Sequence, residues 1–266
     1  MNKLYIENDT IIKQELDGAI KFITEEKNDF FMVNRLLLEV IEDTELWIDY
    51  QALEKTKLEV SIQVNPHVKF VLYEVRNGKK MKIKYQYHLD EYADVQIHKF
   101  YCAKQVREFD IVHLNGIGAS VNQMIKTIAT TEEKYDIAIY HNAEKTTSKI
   151  VNHGVTMDDG SIIFNVTNVV PQNKKGCIVS QQSRIIMNGQ KECKISPNLL
   201  IDEYDVEANH AALIGKFQDE ELFYLQSRGI PKEMAISLLT KGFLCSMITE
   251  ENMRKIIEDK ISEYWR

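Results

Sequence analysis

The chain has 266 residues, a formal net charge of −7, 44% hydrophobic and 27% charged residues. That composition supports one large folded unit or two modest ones, and 4 Pro with 11 Gly exclude collagen-like and low-complexity chains. The acidic balance argues against a nucleic-acid partner, because a phosphate backbone needs clustered Lys and Arg, and the lysines here are interspersed with carboxylates, as at Lys79 and Lys80 near Glu74.

From about Leu16 to Lys216 the sequence reads as strands. Ala19–Ile23, Leu36–Val40, Leu58–Ile62, Val68–Leu72, Met81–Tyr85 and Ile162–Val166 are short, rich in β-branched or aromatic residues and mostly alternating. Asp17-Gly18, Asn77-Gly78, Asp159-Gly160 and Asn188-Gly189 are read as turns between them, since such dipeptides tolerate positive φ. Many short strands without intervening helices fit a sandwich, a barrel or a β-helix. Spacing does not separate these three, and no strict repeat is visible.

The last fifty residues change character. Asp219 is predicted to cap a helix through Leu225, with Gly229 as its stop and Pro231 opening a second helix that carries Ala235, Leu238, Leu239, Phe243 and Leu244 on one face. Thr249 is predicted to cap a third helix with Met253, Ile256, Ile257 and Ile261 in line. No apolar run approaches the ~20 residues of a bilayer span, and Met1 to Ile12 lacks a signal peptide's basic start and apolar middle. The expectation is a cytoplasmic chain that meets no membrane. Its four cysteines, Cys102, Cys177, Cys193 and Cys245, include no CxxC pair, so they are expected as free thiols or ligands.

The most specific stretch runs from Ser196-Pro-Asn-Leu-Leu-Ile201 through Asn209-His-Ala211 to Leu222-Phe-Tyr-Leu-Gln-Ser-Arg-Gly-Ile230. It resembles the C-terminal signature of the SufB/SufD family of iron–sulfur cluster assembly proteins, and His141-Asn-Ala-Glu-Lys-Thr-Thr-Ser-Lys-Ile150 is similar to a further family segment. The match covers roughly Tyr140 to Phe243. The resemblance implies a mainly β fold, a right-handed parallel β-helix with a C-terminal α-helical subdomain. The expected organisation is a β-helix core over 1–216 with a short N-terminal lead-in, and a helical domain over 217–266. Family members typically carry an additional N-terminal helical region, so the chain is expected to be a shortened member.

The resemblance also implies a role as a non-catalytic platform. Two such subunits pair through their β-helices, as a homodimer or as a heterodimer with a SufB-like partner. The C-terminal helices dock a SufC-like ABC-type ATPase, whose ATP-driven dimerisation opens the assembly site. The chain has no phosphate-binding loop of its own, so no nucleotide is expected to bind it directly. The implied cargo is iron or a transient iron–sulfur cluster.

His210 aligns with the family's interface histidine, and imidazole is a sound iron ligand. Glu207, with Asp205 and Glu203, would add hard oxygen ligands. SufB-type members carry an essential Cys at a position falling near Gln182, where none is present. Cys177 and Cys193 flank it as candidate substitutes. Ala211 after His210, in place of a SufB-type Glu, leans toward a SufD-like member. Phe223, Tyr224, Arg228 and Gly229 belong to the motif that resembles the ATPase-docking element, with aromatic and Arg anchors suited to an interface. His67, His141 and His153 receive no role, and Ser148 with His141 forms no recognisable Ser-His-Asp set. The competing class is a β-helix polysaccharide lyase or hydrolase, which would need paired carboxylates or a Ca²⁺ site.

Overall fold

The protein is described by a computed structural model over residues 1–8, 10–22, 35–53 and 56–265. The strands in chain order are β1 (Asn2–Glu7), β2 (Thr10–Glu15), β3 (Ile20–Phe22), β4 (Arg35–Val40), β5 (Thr44–Ala52), β6 (Thr56–Val64), β7 (Lys69–Leu89) and β8 (Asp94–Leu114). There follow β9 (Ser120–Ala129), β10 (Glu132–His141), β11 (Thr147–Thr156), β12 (Ser161–Val170), β13 (Cys177–Met187), β14 (Lys194–Ile201) and β15 (Val206–Gly215). Three helices close the chain: α1 (Asp219–Ser227), α2 (Lys232–Leu244) and α3 (Glu251–Tyr264).

These strands coil into a parallel β-solenoid. One face stacks β1, β5, the first half of β7, the first half of β8, β9, β11, β13 and β15. The other stacks β4, β6, the second halves of β7 and β8, β10, β12 and β14. Antiparallel pairing among the described residues is confined to β1 with β2 and β3 with β4 at the N-terminal end. Ile23, the end of the predicted Ala19–Ile23 strand, lies outside the described residues.

The absence of a visible repeat has a structural cause. On the second face the in-register positions are Lys57, Lys82, Arg107, Lys134, Ile163 and Lys194, so one rung takes 25, 25, 27, 29 and then 31 residues. The turn lengthens as the chain winds, and a fixed period never accumulates.

Asn77-Gly78 is not a turn between separate strands. It lies inside the continuous 21-residue β7, at the corner where that strand passes from one face to the other. Gly78 has φ +122°, and a Cβ there would meet the Ala52 carbonyl oxygen at 2.0 Å, so backbone packing between rungs demands glycine. β8 rounds the same corner one rung later with Gln105 at φ 53°.

The lumen holds the main core, including Leu46, Leu72 and Ile97 stacked rung on rung and Tyr85 stacked on Tyr87. It also encloses charge. Arg76 ion-pairs with Glu74 and donates to the Tyr85 hydroxyl at 2.7 Å. Lys99 Nζ donates to Glu108 at 2.5 Å and Asp110 at 2.8 Å. Buried charges persist only when paired in this way. Burial, with Asp110 alongside, pushes the Glu108 carboxyl well above the usual carboxylate range, while Lys99 pulls it back.

α2 and α3 lie on the outer side of the first face. Leu244, Met253, Ile257 and Ile261 pack against Trp47, Tyr73, Phe100, Ile128, Val155 and Ile186. Two predicted caps shift by one residue. The α1 cap is Gln218, which forms a reciprocal capping box with Glu221, so Asp219 is the first helical residue. The α3 cap is Glu250, whose carboxylate accepts from the Met253 N–H at 2.6 Å, rather than Thr249. Gly229 takes φ +82° after α1, with its N–H bonded to Gln226 O and that of Ile230 to Leu225 O, which ends the helix in a Schellman-type turn.

Candidate functional site

The last described rung has a neighbouring rung on one side only. Among the described residues β15 pairs with β13 alone, and every residue from Glu207 to Ile214 is exposed. His210 stands at its centre, in register with Gln181. Gln181 points into the lumen, so His210 stands on the lumen side of the last strand. Glu207 is in register with the outward Ile178 and therefore faces the other way.

The other candidates are not brought to His210. Cys177 is fully buried at the start of β13, in register with Val206, four residues and about 13 Å along the strand from the His210 level. Cys193 lies beyond the far end of β13, about 30 Å from Cys177 along that strand. There it accepts the Ile162 N–H at 3.4 Å. Burial pushes its thiol up, away from the thiolate a ligand requires. Among the described residues no three His, Cys, Asp or Glu side chains are grouped to hold a metal ion.

Cys177 instead begins a buried polar chain. Its sulfur lies 3.2 Å from the Thr146 hydroxyl, which lies 2.7 Å from His141 Nδ1. His141 Nε2 is 2.9 Å from the Ser148 hydroxyl, Asn168 donates to Ser148 at 2.6 Å, and Gln181 donates to Asn168 at 2.7 Å. The string thus ends beneath the level of His210. Burial holds His141 neutral, its pKa pulled down to about 4. His141 and Ser148 received no role from the sequence, because chain order alone does not establish such geometry.

At the helical end, Phe223 and Tyr224 are 73% and 57% exposed, while Leu222 packs inward against the helix-covered core. The Arg228 guanidinium lies 5.1 Å from the Tyr224 ring centre, and Gly229 ends the helix beside it. α1 therefore displays two aromatic rings and an arginine to solvent. α2 is pinned to β11 by His153, which stacks on Phe243 at 4.3 Å and whose Nδ1 lies 2.8 Å from Lys126 Nζ. Burial lowers Lys126 to about 7 and His153 to about 3.

Residues 25–243 match the family described as SUF system FeS cluster assembly, SufBD core domain. The chain belongs to the SufBD family. It is 37% identical over 137 residues to the iron–sulfur cluster assembly protein SufD of Bacillus subtilis, covering 48% of this chain and 31% of that protein. A SufBD family protein of Pyrococcus horikoshii is 33% identical over 108 residues, covering 40% and 24%. SufD of Escherichia coli is 27% identical over 127 residues, covering 46% and 30%. The aligned part is a third or less of each of these SufBD proteins. Among the described residues no helix is long and apolar enough to cross a membrane.

Proposed function

We propose that this SufBD chain is a non-catalytic scaffold subunit for iron–sulfur cluster assembly that acts in the cytoplasm and becomes complete only when a second solenoid abuts its last rung. The observation that carries this reading is β15 itself. Among the described residues it is an open parallel edge, exposed on both faces, with its own Leu213 and Ile214 at 50% and 41% exposure and Leu200 of β14 at 57%. Unprotected edges of this kind invite a further strand. A partner pairing there, a second copy or a SufB-like chain, covers His210 and supplies the ligands this chain does not gather around it.

Iron or a nascent cluster is the cargo of that seam. The His210 imidazole offers one nitrogen to it, and the partner's residues complete the set. In this reading the exposed Phe223, Tyr224 and Arg228 surface of α1 docks an ABC-type ATPase. The β-helix over 1–216 carries the seam and the helices over 217–266 carry the docking surface, which is the division of labour we infer. α2 and α3 share a core with the solenoid, so force applied at α1 is transmitted to the rungs rather than absorbed by a loose tail.

The test is co-expression with a SufC-like ATPase, anaerobic purification, and assay of iron and acid-labile sulfide. His210→Ala is expected to lower both by more than about tenfold, in line with loss of a metal ligand or its support. Undiminished iron and sulfide in that variant would remove His210 from the site.

A further inference from the structure

Among the described residues the second face of the solenoid is bare. Along β10 and β12 burial alternates residue by residue, and no described element packs on the outward side. On this bare face the winding of the chain sets Lys57, Lys82, Arg107 and Lys134 side by side on four adjacent strands. Adjacent strands lie about 4.8 Å apart, so the row runs about 14 Å along the solenoid axis. Like charges placed directly opposite on neighbouring strands destabilise a sheet. A chain with net charge −7 has no need to concentrate cations here for solubility.

Three of the four have a carboxylate neighbour: Lys57 with Glu59 at 3.3 Å, Arg107 with Glu132 at 3.8 Å and Lys134 with Asp136 at 3.0 Å. Lys82 has no ion pair among the described residues and lies 5.9 Å from the Phe109 ring centre. Beside the row, Phe109 and Ile111 form the apolar floor of a shallow cleft of about 290 Å³ whose rim includes Lys82 and Lys84.

We infer that this face docks a partner protein through a helix with an acidic stripe, laid along the solenoid axis across the row. The spacing selects a helix. Carboxylates at i, i+3 and i+7 rise about 4.5–6 Å per step, close to the strand spacing, whereas alternate residues of an extended strand rise nearly 7 Å. The apolar floor suits the small or aliphatic side chains beside such a stripe. The interleaved Glu59, Glu132 and Asp136 disfavour a nucleic-acid strand, which offers them only phosphates, while a helix offers its own cations to them.

The test uses the full chain and a synthetic helical peptide of about 18 residues with Glu along one face. Controls are the same peptide with Lys for Glu and a single-stranded DNA oligonucleotide. Fluorescence anisotropy is expected to show binding of the acidic peptide alone, weakening as salt rises from about 50 to about 300 mM. Lys82→Gln with Arg107→Gln is expected to weaken it by about five- to tenfold. Lys174→Gln with Lys175→Gln, away from the row, is expected to leave it unchanged. Because Lys82 and Arg107 are exposed, the Lys82/Arg107 variant should also melt within about a degree or two of the parent. Absence of peptide binding, equal binding by both double variants, DNA bound as tightly as the peptide, or a melting point lowered by several degrees would each overturn the inference.

Discussion

The two faces of this solenoid share a backbone plan and differ in what covers them. On the helix-covered face, β9 and β11 are buried almost from end to end. On the bare face, β10 and β12 alternate strictly between buried and half-exposed positions. The outward side chains decide the difference. Ile128, Val155 and Ile186 pack with the residues of α2 and α3, whereas Lys134, Asp136, Asn165 and Thr167 are half-exposed. Two outward lysines on opposite faces of one rung show the consequence. Lys126 under α2 is desolvated and its pKa falls to about 7, while Lys134 on the bare face keeps an ion pair with Asp136. A strand's pattern therefore reports its cover as much as its pairing.

The largest expected effect tests whether the cover is part of the fold. Ile257→Ala removes a fully buried contact between α3 and the first face. It is expected to cost about 2–5 kcal/mol in urea unfolding, while Ile163→Ala on the bare face costs under about 1 kcal/mol. Similar small losses at both sites would mean that the helices are dispensable to the solenoid.

Lys126→Met sharpens the contrast through pH. The folded pKa lies below the ordinary 10.5, so the buried ammonium penalises the folded state in full below about pH 7, and the penalty fades as pH rises toward 10.5. Wild-type stability should climb across that window. The Met variant should be flat there and more stable by roughly 1–4 kcal/mol at pH 6. Lys134→Met should change stability by less than about 0.5 kcal/mol at either pH.

A smaller stability effect with a larger functional one is expected at the open rung. Leu213→Lys places a charge on the exposed edge strand and should shift unfolding by under about 0.5 kcal/mol. Sedimentation should nevertheless show loss of subunit pairing, and undisturbed pairing would move the seam away from β15. The smallest stability change belongs to Phe223→Ala with Tyr224→Ala, again under about 0.5 kcal/mol because both rings are exposed. Capture of the ATPase from a co-expressed mixture should fall by more than about tenfold.

Most of the strands legible in the sequence lie on the bare side. Leu36–Val40, Leu58–Ile62, Met81–Tyr85 and Ile162–Val166 all alternate because one side of each meets solvent. β9 and β11 gave no such pattern, since helices far along the chain bury their outer side. The helical end was legible from its apolar spacing and its Gly229 stop, with caps misplaced by one residue where Gln218 and Glu250 act through their side chains. His210 was found through the resemblance alone, and its exposure on an unpaired edge is a property of the stack. The polar string from Cys177 through His141 and Ser148 joins residues five to thirty-one positions apart, a spacing that no local period encodes.

Local sequence determined the alternating strands, the glycine and asparagine corners, the terminal helices and the family to which the chain belongs, because each depends on residues within a few positions of one another. The tertiary structure alone decided which side the helices cover, which cysteine is sealed inside, and which cations stand in one row. Those outcomes depend on registry between rungs whose length drifts from 25 to 31 residues, so the partners are chosen through space by the winding of the whole chain.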